Sequence, residues 1–321
     1  MIQRAAASWL LRVIVTVGIL AYLSTTLDMG AAARAVVAVR PLYLIAVLLL
    51  VALDRSVMIL RWVLLLRASG ASITARHAAA IFLVSSFVGS FLPAGIGGDA
   101  ARAWGLTRVT ANTSEALASV AVDRLLGILA IVTMGILGVL VWSPGTRAGW
   151  TMGAAVGVLL AVSLAAFWAD RLARFLVPSR LHDGALARRL LRVTDAVSRY
   201  RGRGSVLAHV MLWSFVVQLL RIAQAYLLGL GLAISVPFRY YLVFMPIGLL
   251  MLLLPISISG FGLPQGVIVW LLRPQGVPDE QSFALSTLIV LTGLAGNLPG
   301  LWLWLRSEAG FGVGAADRGR Q

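Results

Sequence analysis

Residues 77–106 read HAAAIFLVSSFVGSFLPAGIGGDAARAWGL. An apolar run begins this stretch, and Pro93-Ala-Gly-Ile-Gly-Gly98 interrupts it. Pro and Gly clusters end helices, Pro by removing a backbone donor and Gly by its entropy cost. Unwound backbone at membrane depth survives only inside protein or beside water. The stretch is therefore expected to form a broken helix or a hairpin that re-enters the side it left. A second stretch, 240–272, has the same form and is broken by Pro255-Ile-Ser-Ile-Ser-Gly-Phe-Gly-Leu-Pro264.

Working outward, six unbroken runs of spanning length flank these breaks: 8–27, 42–66, 115–141, 149–169, 205–230 and 281–305. A span needs about 20 apolar residues. Of the 321 residues, 60% are hydrophobic and only 12% charged, and the mean hydropathy is +0.93. A soluble domain carries roughly a quarter charged residues. The fold class is all-α: a polytopic helical membrane protein with six full spans and two broken or re-entrant hairpins. One transmembrane domain is expected over 1–305, with 306–321 as a flexible tail. The run from Trp9 to Leu27 has no small-residue cleavage site after it and is taken as a retained first helix.

There is no Cys, which excludes disulfides and thiolate metal sites, and the three His lie far apart. No metal or cofactor is expected. The net charge is +15, and every basic side chain is Arg. With the aromatics inside apolar runs, nucleic acid is not an expected partner. The Arg suit an anionic lipid surface and the control of topology. If both broken stretches re-enter, the N-tail, 67–76, 107–114, 170–204 and the C-tail share one side, which holds 16 Arg against 5 on the other. The positive-inside rule puts that side, with both termini, in the cytoplasm of a bacterial inner membrane. Segment 170–204 carries nine Arg and three Asp among spaced apolar residues. It fits an amphipathic helix on the cytoplasmic face or a plain basic loop equally well.

Ser69 to Pro93 aligns without a gap with Gly231 to Pro255, and each follows a Leu-rich span and ends at a Gly-rich break. Ala116-Leu-Ala-Ser119 likewise resembles Ala284-Leu-Ser-Thr287. Halves 42–141 and 205–305 would have opposite orientations by the Arg count. That is an inverted repeat, a plan that lets one half rock against the other around a midplane site.

Six Arg and three Asp fall within spans or breaks: Arg12, Arg55, Arg61, Arg102, Arg124, Arg221, Asp54, Asp99 and Asp123. An ionised group at mid-bilayer costs about 2.5–3.5 kcal/mol, so these must pair, face the bundle or line water. Asp54 and Arg61 share a helix face, and Asp99 and Arg102 are three apart. Asp123 and Arg124 are adjacent and point to different neighbours. Arg221 lies in a polar stripe with Gln218 and Gln224. Arg12 and Arg61 are expected to snorkel to the headgroups. The others either set helix register as buried pairs or form a cationic chamber for an anionic substrate such as a phosphate. Asp99 is expected to cap one half-helix, and Pro264 to open another after Gly260 and Gly262. Two such N-termini would also attract an anion.

The segments FLPAGIGGDAARAWGL (91–106), AVDRLLGILA (121–130) and LLPISISGFGLPQGVIVWLL (253–272) together resemble the membrane domain of lysylphosphatidylglycerol synthase, the flippase-like family. The resemblance covers about 8–305. It implies function at Gly97, Gly98, Asp99 and Arg102 and at the pair Asp123 and Arg124. The family often has a charged pair after the second break, where this chain has Pro264 and Gln265. Family members with a soluble aminoacyltransferase domain make and translocate aminoacylated phosphatidylglycerol. Only 16 residues follow Leu305, so the translocating part alone is implied.

Three functions are weighed. A flippase-like transporter would move an anionic phospholipid or a polyprenyl-phosphate-linked lipid, without a nucleotide-binding loop. A membrane-embedded lipid-phosphate transferase would use Asp99 or Asp123 as base or metal ligand. An accessory protein would bind lipid or a soluble transferase through 170–204. The first is expected, with no enzymatic role. Self-association remains open.

Overall fold

The computed structural model describes residues 21–71, 73–92, 97–110, 113–142, 200–253 and 262–306, except 23 and 26, with a few positions between 154 and 198. Most of the expected spans 8–27 and 149–169, most of segment 170–204, and Gly260 lie outside the described residues.

The described residues are helical, and four helices among them are long and apolar enough to cross a membrane. The chain is a polytopic helical membrane protein. Helix α1 (Met29–Val37) is short, and the Asp28 side chain accepts from the Ala31 N–H at its start. That bond holds the Asp28 carboxyl below its ordinary range. Helix α2 (Pro41–Ser69) opens on a proline, whose fixed φ suits a first helical turn. It closes where Gly70 turns left-handed and the Gly70 and Ala71 N–H groups reach back to Arg67 and Leu66 carbonyls.

The first broken stretch is α3 (Ala75–Gly89) followed by α4 (Gly97–Thr107). The two pack against each other, and a Cβ on Gly89 would lie 2.5 Å from the Gly98 Cα. Helix α5 (Thr113–Trp142) follows. After a short 3-10 turn, α6 (Gly204–Gly231) pairs closely with α2. The second broken stretch is α7 (Phe238–Leu253) and α8 (Leu263–Leu272). Gly262 precedes α8 at φ 98, a conformation that L side chains resist, and Pro264 falls in the first turn as expected. The Gly262 N–H donates to Gln265 Oε1 at 2.7 Å.

The last expected span, 281–305, lies within one membrane-length helical segment, Asp279–Arg306, interrupted only by a two-residue turn between α9 (Asp279–Ala295) and α10 (Leu298–Arg306). The sequence there is Gly296-Asn297-Leu298-Pro299, a turn signal inside a run whose length alone suited a span.

Packing joins residues 42–141 to residues 205–305. Helix α5 lies on α7, and α10 lies on α3. Each crossing places a glycine against bare backbone. Gly138 faces the Leu242 carbonyl, and Gly300 faces the Leu83 carbonyl, with no room for a side chain at either. At one end of the bundle Leu66, Ala78 and Leu106 pack together, and the Tyr200 hydroxyl donates to the Leu65 carbonyl. At the other, Gly231 meets Val39 and Tyr43, and Trp142 meets Tyr240. Arg108 lies over Trp104, Arg306 over Trp302 and Arg239 over Trp142. Such Arg–Trp pairs suit a membrane–water interface.

Candidate functional site

Helices α2, α5 and α6 run long and straight past the two broken stretches and leave a cavity of about 410 Å³ between them. The carboxylates and guanidiniums inside the membrane-length segments converge there. Among the described residues, five Arg and three Asp line it: Arg55, Arg61, Arg102, Arg124 and Arg221 with Asp54, Asp99 and Asp123.

Two networks hold these groups. In the first, Asp54 of α2 accepts from Arg55 Nη1 and from Arg221 Nε of α6, both at 3.3 Å. Arg55 also donates to the Gly293 carbonyl of α9 at 3.2 Å. The Met58 sulfur lies 3.6 Å from Arg55 Nη1 and 3.2 Å from Arg221 Nη2.

The second network is tighter. Asp123 of α5 accepts from Arg61 Nε at 2.8 Å and from Arg102 Nη1 at 3.1 Å. Arg61 donates further to Ser214 Oγ on α6 at 3.0 Å. Arg102 also donates to Asp99 Oδ1 at 2.7 Å, and its guanidinium lies 5.2 Å from both the Trp62 and Phe82 ring centres. Arg124 Nε stands 3.5 Å from Asp99 Oδ2.

Distance and exposure sort the arginines into two kinds. Arg61 and Arg102 have side chains 5% and 6% exposed and sit within 3.1 Å of a carboxylate. Arg55, Arg221 and Arg124 are 18%, 23% and 36% exposed, with contacts of 3.3–3.5 Å. Charge-assisted bonds shorten to about 2.7–2.9 Å when well made. The first two are built into the scaffold, while Arg55 and Arg221 meet their carboxylate, Asp54, at longer range on the cavity wall. Buried polar atoms there lack hydrogen-bond partners, among them Arg55 Nε, Gln218 Oε1, Gln224 Nε2 and Asn297 Oδ1. In native structures such atoms are few, and an absent ligand is one reason for them.

Of the sequence-based candidates, Arg55, Gly98, Asp99, Arg102, Asp123, Arg124 and Arg221 all line the cavity. Gly97 and Gly262 do not: Gly97 packs on Leu92, and Gly262 begins α8. Asp99 is not an N-cap but the third residue of α4, where its charge still favours the helix start. Arg61 does not snorkel, because Asp123 and Ser214 hold it inside. Asp54 and Arg61 do not pair. Seven residues raise a helix by roughly 10.5 Å, and neighbouring helices offer nearer partners. Met58, Ser86, Ser90 and Asn297 were not singled out by sequence, and they line the same space. Nothing in an apolar run marks a Met or a Ser as facing a cavity; Asn297 is the one whose polarity stood out. Among the described residues, no group of three His, Asp or Glu could hold a metal ion.

None of the curated proteins is a match to this chain. Residues 9–300, nearly its whole length, match the family described as the lysylphosphatidylglycerol synthase TM region, and the chain belongs to that family.

Proposed function

We propose that the chain moves an anionic or phosphate-linked lipid across the bacterial inner membrane, with both termini in the cytoplasm. The observation that carries this is the surplus of guanidinium in one membrane-embedded cavity, five Arg against three Asp. A protein that needed only buried pairs to fix helix register would gain nothing from unmatched charge, which is costly to bury. The two broken stretches support the same reading. Each is a pair of short packed helices, and each leans on the last span of the other half. In this proposal they re-enter the membrane from opposite sides as inverted halves, and rocking between them alternates access.

The test is lipid translocation in vesicles containing the purified full chain, scored by loss of a fluorescent anionic lipid from one leaflet. The informative variant is Arg221→Gln. Arg221 meets its carboxylate at longer range, and a bond to a charged group contributes about 1.5–3 kcal/mol, so transport should fall roughly tenfold or more. Arg102→Ala would be a poorer probe. It strips Asp99 and Asp123 of a shared partner and empties the space between Trp62 and Phe82. If the wild-type chain moves every tested lipid no faster than empty vesicles do, the transport function is wrong.

A further inference from the structure

We propose that the cavity takes a dianionic headgroup, a phosphate monoester, in preference to a monoanionic phosphodiester. This rests on the cavity being the cargo site of a lipid carrier. Three observations carry it.

The first is the charge count. The five Arg and three Asp on the wall leave a surplus of two positive charges, and no His, Glu or Lys is among the described residues lining it. The breaks at 93–96 and 254–261 contain no ionisable side chain. A zwitterion would leave both surplus charges in place, and a diester would leave one. A phosphate monoester carries about −1.5 to −2 at pH 7 and cancels them. Unmatched charge in a low-dielectric space is costly, so the cargo that restores neutrality is favoured.

The second is where the surplus sits. Asp54 faces two guanidiniums, and the pair Asp99 and Asp123 faces three. Each network is therefore one charge in surplus. Neither network alone matches a dianion, but the cavity between them does.

The third is donor geometry. Arg55 and Arg221, with long carboxylate contacts, and Arg124 come from three different helices and line the same space. A monoester offers three terminal oxygens to such donors, and a diester only two. The unpaired Gln224 Nε2, a further donor, lies beside them.

Two lipid types share this chemistry: phosphatidate and a polyprenyl phosphate. Binding to the purified full chain in nonionic detergent, read by titration calorimetry, compares both with phosphatidylglycerol and with inorganic phosphate. One or both phosphomonoester lipids should bind at least about tenfold tighter than phosphatidylglycerol at neutral pH, a difference of roughly 1.4 kcal/mol. That preference should shrink below about pH 5.5, where the monoester takes up a proton and becomes a monoanion, with phosphatidylglycerol binding as the baseline at each pH. Phosphatidylglycerol binding as tightly as the monoesters at neutral pH would overturn the dianion preference and leave lipid transport standing. No binding of any lipid would overturn the proposal, and vesicle transport would then decide the broader function separately. Inorganic phosphate binding as tightly as the monoester lipids would support the dianion and count against a lipid cargo.

Discussion

Asp123 is the residue on which the interior depends most. It is buried and holds two guanidiniums from two other helices, Arg61 of α2 and Arg102 of α4. Asp123→Asn keeps the size and removes the charge, leaving two buried cations under-compensated. The expected cost is about 3–5 kcal/mol, seen as a large fall in the thermal midpoint of the purified chain. Arg221→Gln should lower that midpoint less than Asp123→Asn does, because Asp54 keeps Arg55, while transport drops. An Asp123→Asn protein as stable as wild type would show that the tight network is not structural. The charges themselves were legible in the sequence, because an Arg or Asp in an apolar run stands out. Their partners were not. Pairing inside a bundle depends on which helices are neighbours, and the spacing along one helix misdirected both Arg61 and Asp54.

At the scale of elements, the breaks explain more than the spans. Those at 93–98 and 255–264 were visible because Pro and Gly cluster there. The third, at Gly296-Asn297, was hidden by the length of the run around it. It has a role: Asn297 donates to Ser90 Oγ at 2.8 Å, tying the α9–α10 break to the end of α3. Asn297→Ala should cost about 1 kcal/mol. In a double-mutant cycle with Ser90→Ala, the double variant should lose no more than either single one; additive losses would show that the two side chains do not interact. The crossings of α5 on α7 and of α10 on α3 are set by Gly138 and Gly300. Gly138→Ala and Gly300→Ala should each destabilise by about 1–3 kcal/mol through overpacking. Gly204→Ala meets nothing within 4 Å and serves as the control. Equal midpoints for all three would mean that the crossings are loose.

For the whole molecule, sidedness is the open quantity that one experiment settles. The chain has no Cys, so a single introduced one is a unique label. Val37, Val109 and Ser205 are exposed. With the Arg-rich side in the cytoplasm, an impermeant maleimide on intact spheroplasts should modify Val37→Cys and spare Val109→Cys and Ser205→Cys until the membrane is opened. The reverse pattern would invert the topology. A helical membrane fold with two broken stretches could be anticipated from the order of runs and breaks. A cationic chamber was one of two expectations for the charges; which of them pair there was not legible, since that arises only when α2 and α6 are laid side by side. Asp54 stands at that seam, accepting from Arg55 on its own helix and from Arg221 on the other. A cargo anion that draws the Arg221 guanidinium away from Asp54 also loosens the bond across that seam. By thermodynamic reciprocity, any strain that pulls the seam apart must then raise the affinity for cargo by the same factor, so loading and opening are one equilibrium seen from its two ends.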